Sequence, residues 1–360
     1  YTLPERVLSY TASIQHQLDN NTVLTVAYVG SQGRNLFIRS WGNAITGVAT
    51  NPTTGAAVVT RQFGDRWAEV DVKTSGGRDH YNALQTTLNR KSRNGLTYGV
   101  SYTWGRSIGN SGGSNETVTV ADRTDWSRDY GNNLTDIRHN LNAVALYEIK
   151  WLQGLQVGMV INTRTGLPLD PLIVRNDVVY QDRRTGLYYN NPIVENGVVQ
   201  TTAVINTPGG GQSRQIRRPD YVPGVSPYIQ SGGTVFLNPA AFSTPLPGTF
   251  GNAGRYSLHG PSLFQADLTV QKQWKIKEGI GVQLRAEVYN VLNHTNFANP
   301  PAQLPNALPS KIGQSNSVQP GQAFGTATQG ATFGVFNSTL DRTVGLGTSR
   351  QMQLSMRVNF

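Results

Sequence analysis

An all-β fold, an antiparallel transmembrane β-barrel, is what this sequence predicts, and three observations carry the prediction. Apolar and polar residues alternate with period two through about nine segments of roughly 10 residues each. The connections between segments alternate between tight turns and long stretches rich in Gly, Asn and Pro, and aromatic residues gather at segment ends.

Period two puts one set of side chains on each face of a strand. The last eleven residues show it best, with Met352, Leu354, Met356, Val358 and Phe360 against Gln351, Gln353, Ser355, Arg357 and Asn359. Leu96 to Trp104, Phe264 to Trp274, Ile280 to Val288 and Leu8 to Ile14 repeat the pattern; Leu24 to Val29, Tyr81 to Leu88, Leu141 to Ile149 and Leu155 to Ile161 carry less regular versions. A strand of about 10 residues tilted by about 45° rises through about 25 Å of hydrocarbon, which suits a membrane wall. The mean hydropathy of -0.36 does not oppose this, because a membrane strand shows lipid only one of its faces.

Tight turns are expected at Asp19-Asn20-Asn21, Lys91 to Gly95, Leu152-Gln153-Gly154 and Lys277-Glu278-Gly279. Between them run long connections of about 45, 25, 90 and 50 residues, beginning near Arg34, Asn110, Asp170 and Ala298. Strict alternation places all tight turns, and the C-terminus, on one periplasmic side and all long loops on the extracellular side. Trp104, Tyr147, Trp151, Trp274 and Phe360 lie at or near strand ends, where a membrane interface gives an aromatic ring both an apolar and a polar neighbour.

Nine strands leave the first and last running the same way, so closing them on each other would need a parallel pair. The expectation is therefore that 1–360 is the distal part of one larger outer-membrane barrel domain, with the plug and N-terminal domains absent. An open sheet would expose two edges, which lipid does not tolerate.

Composition narrows the chemistry. The 39 Gly, 18 Pro and 15 Tyr suit strands and turns, and the absence of Cys removes disulfides, thiolate metal sites and cysteine nucleophiles. The net charge of +10 invites a nucleic-acid partner, but the cations are scattered. Arg90, Lys91 and Arg93, or Arg214, Arg217 and Arg218, read as solvated loop charge; no nucleic acid is expected, and lipopolysaccharide phosphate is the better anion. No catalytic set, metal site or cofactor is expected. The histidines His16, His80, His139, His259 and His294 are dispersed, and His139 beside Asp136 and Arg138 suits a hydrogen-bonding role at the barrel mouth. Asp122, Asp125 and Asp129 lack the EF-hand spacing and read as a solvated, self-bonding loop; Gly209-Gly210-Gly211 with Ser213 and Arg214 lacks the strand and helix of a phosphate loop. Lumen-facing candidates are Gln265, Asp267, Gln283, Arg285 and Glu287, with Asp267, Arg285 and Glu287 expected to form charge pairs between adjacent strands that support the wall or meet a plug.

Several segments carry a family resemblance. Asn238-Pro239-Ala240-Ala241-Phe242, Gly248-Thr249-Phe250-Gly251-Asn252, Asn290 to Phe297 and Asp136-Ile137-Arg138-His139-Asn140 resemble the distal barrel of Oar-like TonB-dependent receptors, a type abundant in acidobacteria. The resemblance runs with gaps from about Leu84 onward. It implies a parent in the outer membrane of a Gram-negative bacterium, with a signal peptide, often a carboxypeptidase-regulatory-like β-sandwich, a plug and about 22 strands. It also implies energised uptake of an unidentified extracellular ligand by that parent, through TonB bound to the missing N-terminal parts. The terminal Phe360 is similar to the residue by which the barrel-assembly machinery recognises its substrates, and lipid and lipopolysaccharide become partners. Other readings are a structural or adhesive outer-membrane protein, an outer-membrane protease or lipase, and a soluble β-sandwich binding module.

Overall fold

The alternating segments form strands because each offers one apolar and one polar face, and they pair in chain order because tight turns join every second pair. In the computed structural model, which describes residues 3–112, 119–211, 215–229, 233–325, 332–340, 346–347 and 349–360, nine of them make one antiparallel meander. They are β1 (Arg6–Asp19), β2 (Thr22–Gly42), β3 (Val70–Arg93), β4 (Leu96–Gly109), β5 (His139–Ile149), β6 (Leu155–Arg164), β7 (Leu263–Lys277), β8 (Ile280–Tyr289) and β9 (Gln351–Asn359). A two-residue strand, Gly131–Asn132, attaches to the end of β4. Among the described residues β1 and β9 each have one neighbour, so the sheet has two open edges.

Register sorts the faces along its longest rows, with Leu146 the apolar exception on the polar side. Tyr98, Ala145, Met159, Leu268, Val288 and Met352 stand directly opposite one another across six strands. One residue over, Thr97, Leu146, Gly158, Thr269, Glu287 and Gln353 form the corresponding row on the other face. The apolar face is bare, with Leu354 72% exposed, which a water-soluble β-sandwich would not tolerate over a whole sheet. The wall is thus a single layer whose apolar side takes lipid, and the soluble sandwich reading is set aside.

The tight turns interlock with their neighbours. Asn94 and Gly95 both take positive φ (56° and 90°), as a two-residue hairpin with the right strand twist requires. A Cβ at Gly95 would lie 2.3 Å from the Glu148 carbonyl oxygen, because the Glu148 amide donates to the Gly95 carbonyl at 2.9 Å.

The first long connection is shorter than the sequence suggests. Pairing does not stop at Arg34: after a bulge at Asn35 (φ 56°), the ladder runs on between Leu36–Gly42 and 70–77. The bulge resets the period, which hides the extension. Buried Ile38 and Trp41 stabilise it by packing on Val120. The connection proper, residues 43–69, is itself a hairpin of Ile45–Thr50 and Ala57–Arg61.

The two longest connections, 165–262 and 290–350, fold together into one body on the long-connection side. Leu172–Ile173 pairs in parallel with Gln303–Leu304, and Asp220–Tyr221 pairs with Phe242–Ser243. A core of Leu169, Leu237, Phe242, Leu304, Phe324 and Phe333 fills the space between them. This is where the molecule buries most of its apolar side chains; the wall has almost no core of its own.

Candidate functional site

The polar face of the wall comes first, because register alone builds it. Gln265, Asp267, Gln283, Arg285 and Glu287 share that face, opposite Leu268 and Val288. The expected charge pairing between strands does not form. Arg285 stands directly across from Gln271, roughly 13 Å along β7 from Asp267, so its Nη2 turns along its own strand and donates to Glu287 Oε1 at 2.6 Å. Asp267 instead accepts from Gln265 Nε2 (2.8 and 3.1 Å) and from the Asn290 amide at 2.8 Å. Gln265 Oε1 in turn accepts the Gly347 amide, tying the last long connection to the wall. Nearer the tight turns, Gln283 donates to Gln271 at 3.2 Å and Gln271 donates to Gln156, a ladder of amides across β6, β7 and β8. Apolar residues interrupt this face: Val144 stands directly opposite Val160, and both are exposed, as is Leu146 beside them.

The mouth above the wall is held by buried arginines. Arg217 and Arg218 are not solvated loop charge. Arg218 spans two carboxylates, Asp129 at 2.8 Å and Asp170 at 3.1 Å, while Arg217 pairs with Asp177. Burial pulls the Arg218 guanidinium down, but the charges of Asp170 and Asp129 more than offset it and leave it above its ordinary value. Burial pushes the Asp177 carboxyl up, against the opposing pull of Arg217. Among the described residues Arg175 makes no ion pair, although the charge of Asp220 acts on it from further off. Arg175 donates to the carbonyl oxygens of Asn206 (2.7 Å), Leu246 (2.8 Å) and Thr249 (2.7 Å), and burial followed by the nearby Arg217 charge lowers it to about 10. It remains charged at neutral pH and brackets two loop segments together. Arg255 Nη1 donates to the Gly109 carbonyl at 2.8 Å, which fastens the loop body to the end of β4.

Between these groups opens a cleft of about 430 Å³ lined by Asn133, Thr135, Asp170, Arg218, Arg255 and Tyr256. Asn133 is buried, and among the described residues its Oδ1 has no hydrogen-bond partner. A cleft with cationic, carboxylate, amide and phenol groups suits a polar ligand, although sequence spacing gave no sign that these residues meet.

The motifs that carry the family resemblance are framework. Asn238 caps a 3-10 turn by accepting the Ala240 amide at 3.1 Å, which places Phe242 in the loop core. Gly251 lies so close to the Arg218 carbonyl that a Cβ would sit 2.0 Å away. Asn290 (φ 47°) exchanges hydrogen bonds with the backbone of His294 at 2.8 and 2.9 Å and ends β8.

The remaining sequence candidates also have structural partners. His139 Nδ1 shares a hydrogen bond with the Tyr102 hydroxyl at 2.7 Å, and Asp136 accepts the Ser107 amide at 2.6 Å. Asp122 holds Thr124 and Arg128, Asp125 caps Ser127, and Asp129 is buried against the Ala121 amide and Arg218, so that loop is bonded but not solvated throughout. Among the described residues no group of His, Asp and Glu is arranged to hold a metal. Gly210 and Gly211 allow close approach to Ile45 and Trp41; Ser213 and Arg214 lie outside the described residues. Arg90 belongs to β3 and lies 3.6 Å from Asp19.

The family model described as outer membrane beta barrel domain matches residues 2–353. Among solved structures, the crystal structure of the outer membrane transporter YddB from Escherichia coli is similar at a TM-score of 0.41 and 8% identity, over 98% of this chain and 32% of that one. The chain therefore spans 32% of that transporter's length. No curated protein matches.

Proposed function

Because this chain belongs to the outer membrane beta barrel domain family, we propose that it builds the distal wall and extracellular loops of an Oar-like TonB-dependent receptor, in which a longer parent takes up an external ligand. Its place is the outer membrane. The observation that carries the reading is the two-faced wall with two open edges: β1 and β9 run in the same direction, and lipid leaves no strand edge unpaired. Further strands from the parent complete the barrel and turn the polar face into a lumen lined by Gln265, Asp267, Gln283, Arg285 and Glu287. The apolar patch of Val144, Leu146 and Val160 on that face supports a folded plug lying against it, since water alone would leave it uncovered. In the cleft, Arg218 and Asp170 hold each other and Arg255 holds the wall, an arrangement that supports binding and not turnover. Phe360, bare at the end of β9, is the contact for the assembly machinery.

This chain has no Cys, so a thiol introduced into its wall is the only one that these residues contribute. In the full-length parent, carried in the outer membrane of intact cells, Val144→Cys is expected to resist a hydrophilic maleimide until an energised TonB moves the plug, whereas Ser355→Cys labels freely. Labelling of Val144→Cys that is unchanged by deleting TonB would favour the structural or adhesive reading and end the transport proposal.

A further inference from the structure

The outward face of the wall carries an unexplained row of charge. Arg6 stands directly opposite Arg34, and Arg34 directly opposite Arg78, across three adjacent strands. Parity puts all three on the face of Tyr10, Tyr28, Leu84 and Trp104, the lipid side. Arg106, opposite Asn82, joins them on the same face at the long-connection end. Like charges directly opposite each other on a sheet repel. Among the described residues none of the four makes an ion pair, and Arg34 reaches only the Gly33 carbonyl (2.9 Å) and Gln32 Oε1 (3.3 Å). The carboxylates next to Arg6 and Arg78 in the chain have other partners: Asp79, on the other face by parity, accepts from Ser111, and Glu5 accepts the Phe37 amide.

Directly below this row lies an aromatic ledge. The rings of Tyr10 and Tyr28 stack at 6.2 Å, and both hydroxyls donate to Asn82 Oδ1 at 2.8 Å. Beside them a groove of about 460 Å³ runs over Tyr28, Leu84 and Trp104 and ends at Arg106 and Arg138. Aromatic rings at this level mark the boundary between hydrocarbon and headgroups. Cations gathered just past that boundary, with an oily groove beneath them, match one kind of molecule: a lipid with an anionic, phosphorylated headgroup.

We propose that Arg6, Arg34, Arg78 and Arg106 form a docking site for the phosphorylated sugar headgroup of an outer-leaflet glycolipid, whose acyl chains lie in the groove over Leu84 and Trp104. The assignment rests on the long connections being extracellular. Arginine forks bind phosphate oxygens with paired, charge-assisted bonds, and one such anion relieves the repulsion across all three strands.

The test uses the full-length protein in detergent, with bound lipid counted by native mass spectrometry during titration with diphosphorylated lipid A. The double variant Arg34→Gln/Arg78→Gln is expected to bind at least ~10-fold more weakly, which is the loss of about one charge-assisted contact. Dephosphorylated lipid A should show a similar loss on the unaltered protein, and Lys272→Gln, on the same face at the opposite rim, should bind as the parent does. Heat-modifiable migration on gels confirms that each variant is folded. Equal binding by the double variant, equal binding of dephosphorylated lipid, or displacement of the lipid by equimolar inorganic phosphate would each overturn the proposal. A protein that stays dispersed without detergent would instead overturn the barrel reading beneath it.

Discussion

The wall and the loop body solve the problem of stability in opposite ways. Along β9 the apolar side chains Met352, Leu354, Met356 and Val358 all face outward and bare, and its neighbour β8 supplies only backbone hydrogen bonds and side-by-side contacts. In the loop body Phe242 and Phe333 meet edge to face at 5.8 Å inside a closed core, and its buried arginines are held by carboxylates, as Arg217 and Arg218 are, or by backbone carbonyls, as Arg175 and Arg255 are. The wall relies on lipid to cover its oily face, whereas the loops carry a water-driven core of the ordinary kind. A substitution should therefore act through solvent on one side of the molecule and through packing or buried charge on the other.

The largest effect is expected where the loop body buries charge. Arg218→Leu removes the cation that holds Asp129 and Asp170 and leaves two carboxylates in a dry setting, at a cost of about 3–5 kcal/mol. Limited proteolysis of the full-length protein in detergent should then cut within 165–262 while the strands stay protected. Proteolysis spread equally over wall and loops would mean the two regions are not separate in their stability.

A wall substitution should depend on face alone. Leu354→Arg places a cation in hydrocarbon and is expected to cost about 2–4 kcal/mol in urea unfolding from bilayers. Gln353→Arg, one residue away, faces Glu287 across the ladder and should change stability by about 1 kcal/mol or less. Equal effects at the two positions would remove the distinction between lipid and lumen sides.

The same contrast governs what the sequence revealed. All nine strands were readable because a membrane wall repeats one period in every strand, and hairpin turns such as Asn94-Gly95 mark where it reverses. The loop core was not readable, since Leu169, Phe242, Leu304 and Phe324 come from distant positions with no common period. Nor does spacing say that Arg218 finds Asp129 and Asp170 in other segments. The Arg6, Arg34 and Arg78 row lies between these cases. Once the turn at Asp19 to Asn21 is placed, counting outward brings Arg6 to Arg34, so the signal existed in the register and not in the composition. The charge pairing expected of Asp267 and Arg285 failed for the same reason: facing the same way is a matter of parity, but meeting is a matter of register.

The smallest effect tests the loop body by pH. Asp182 ends the short strand Val178–Asp182 and accepts the amides of Arg184 at 2.7 Å and Thr185 at 3.2 Å, which hold its carboxyl below the usual carboxylate value. A depressed folded-state value means that the unfolded chain takes up the proton first as the pH falls. The stabilisation is therefore fully present above about pH 4, the ordinary aspartate range, and is lost as pH falls through the folded value. Protonation weakens both amide contacts, so hydrogen exchange at Arg184 and Thr185, corrected for the intrinsic pH dependence, should quicken in acid. Asp182→Asn keeps an acceptor but loses the charge, and should give a corrected rate that is slightly raised and no longer changes with pH. The strands offer an internal reference, since the ladder between β6 and β7 from Leu155 to Ile161 carries a single carboxylate, Asp267 opposite Val160 near its far end. If those wall amides quickened in step with Arg184 and Thr185, acid would be opening the whole molecule, and the loop turn would not be the part that responds.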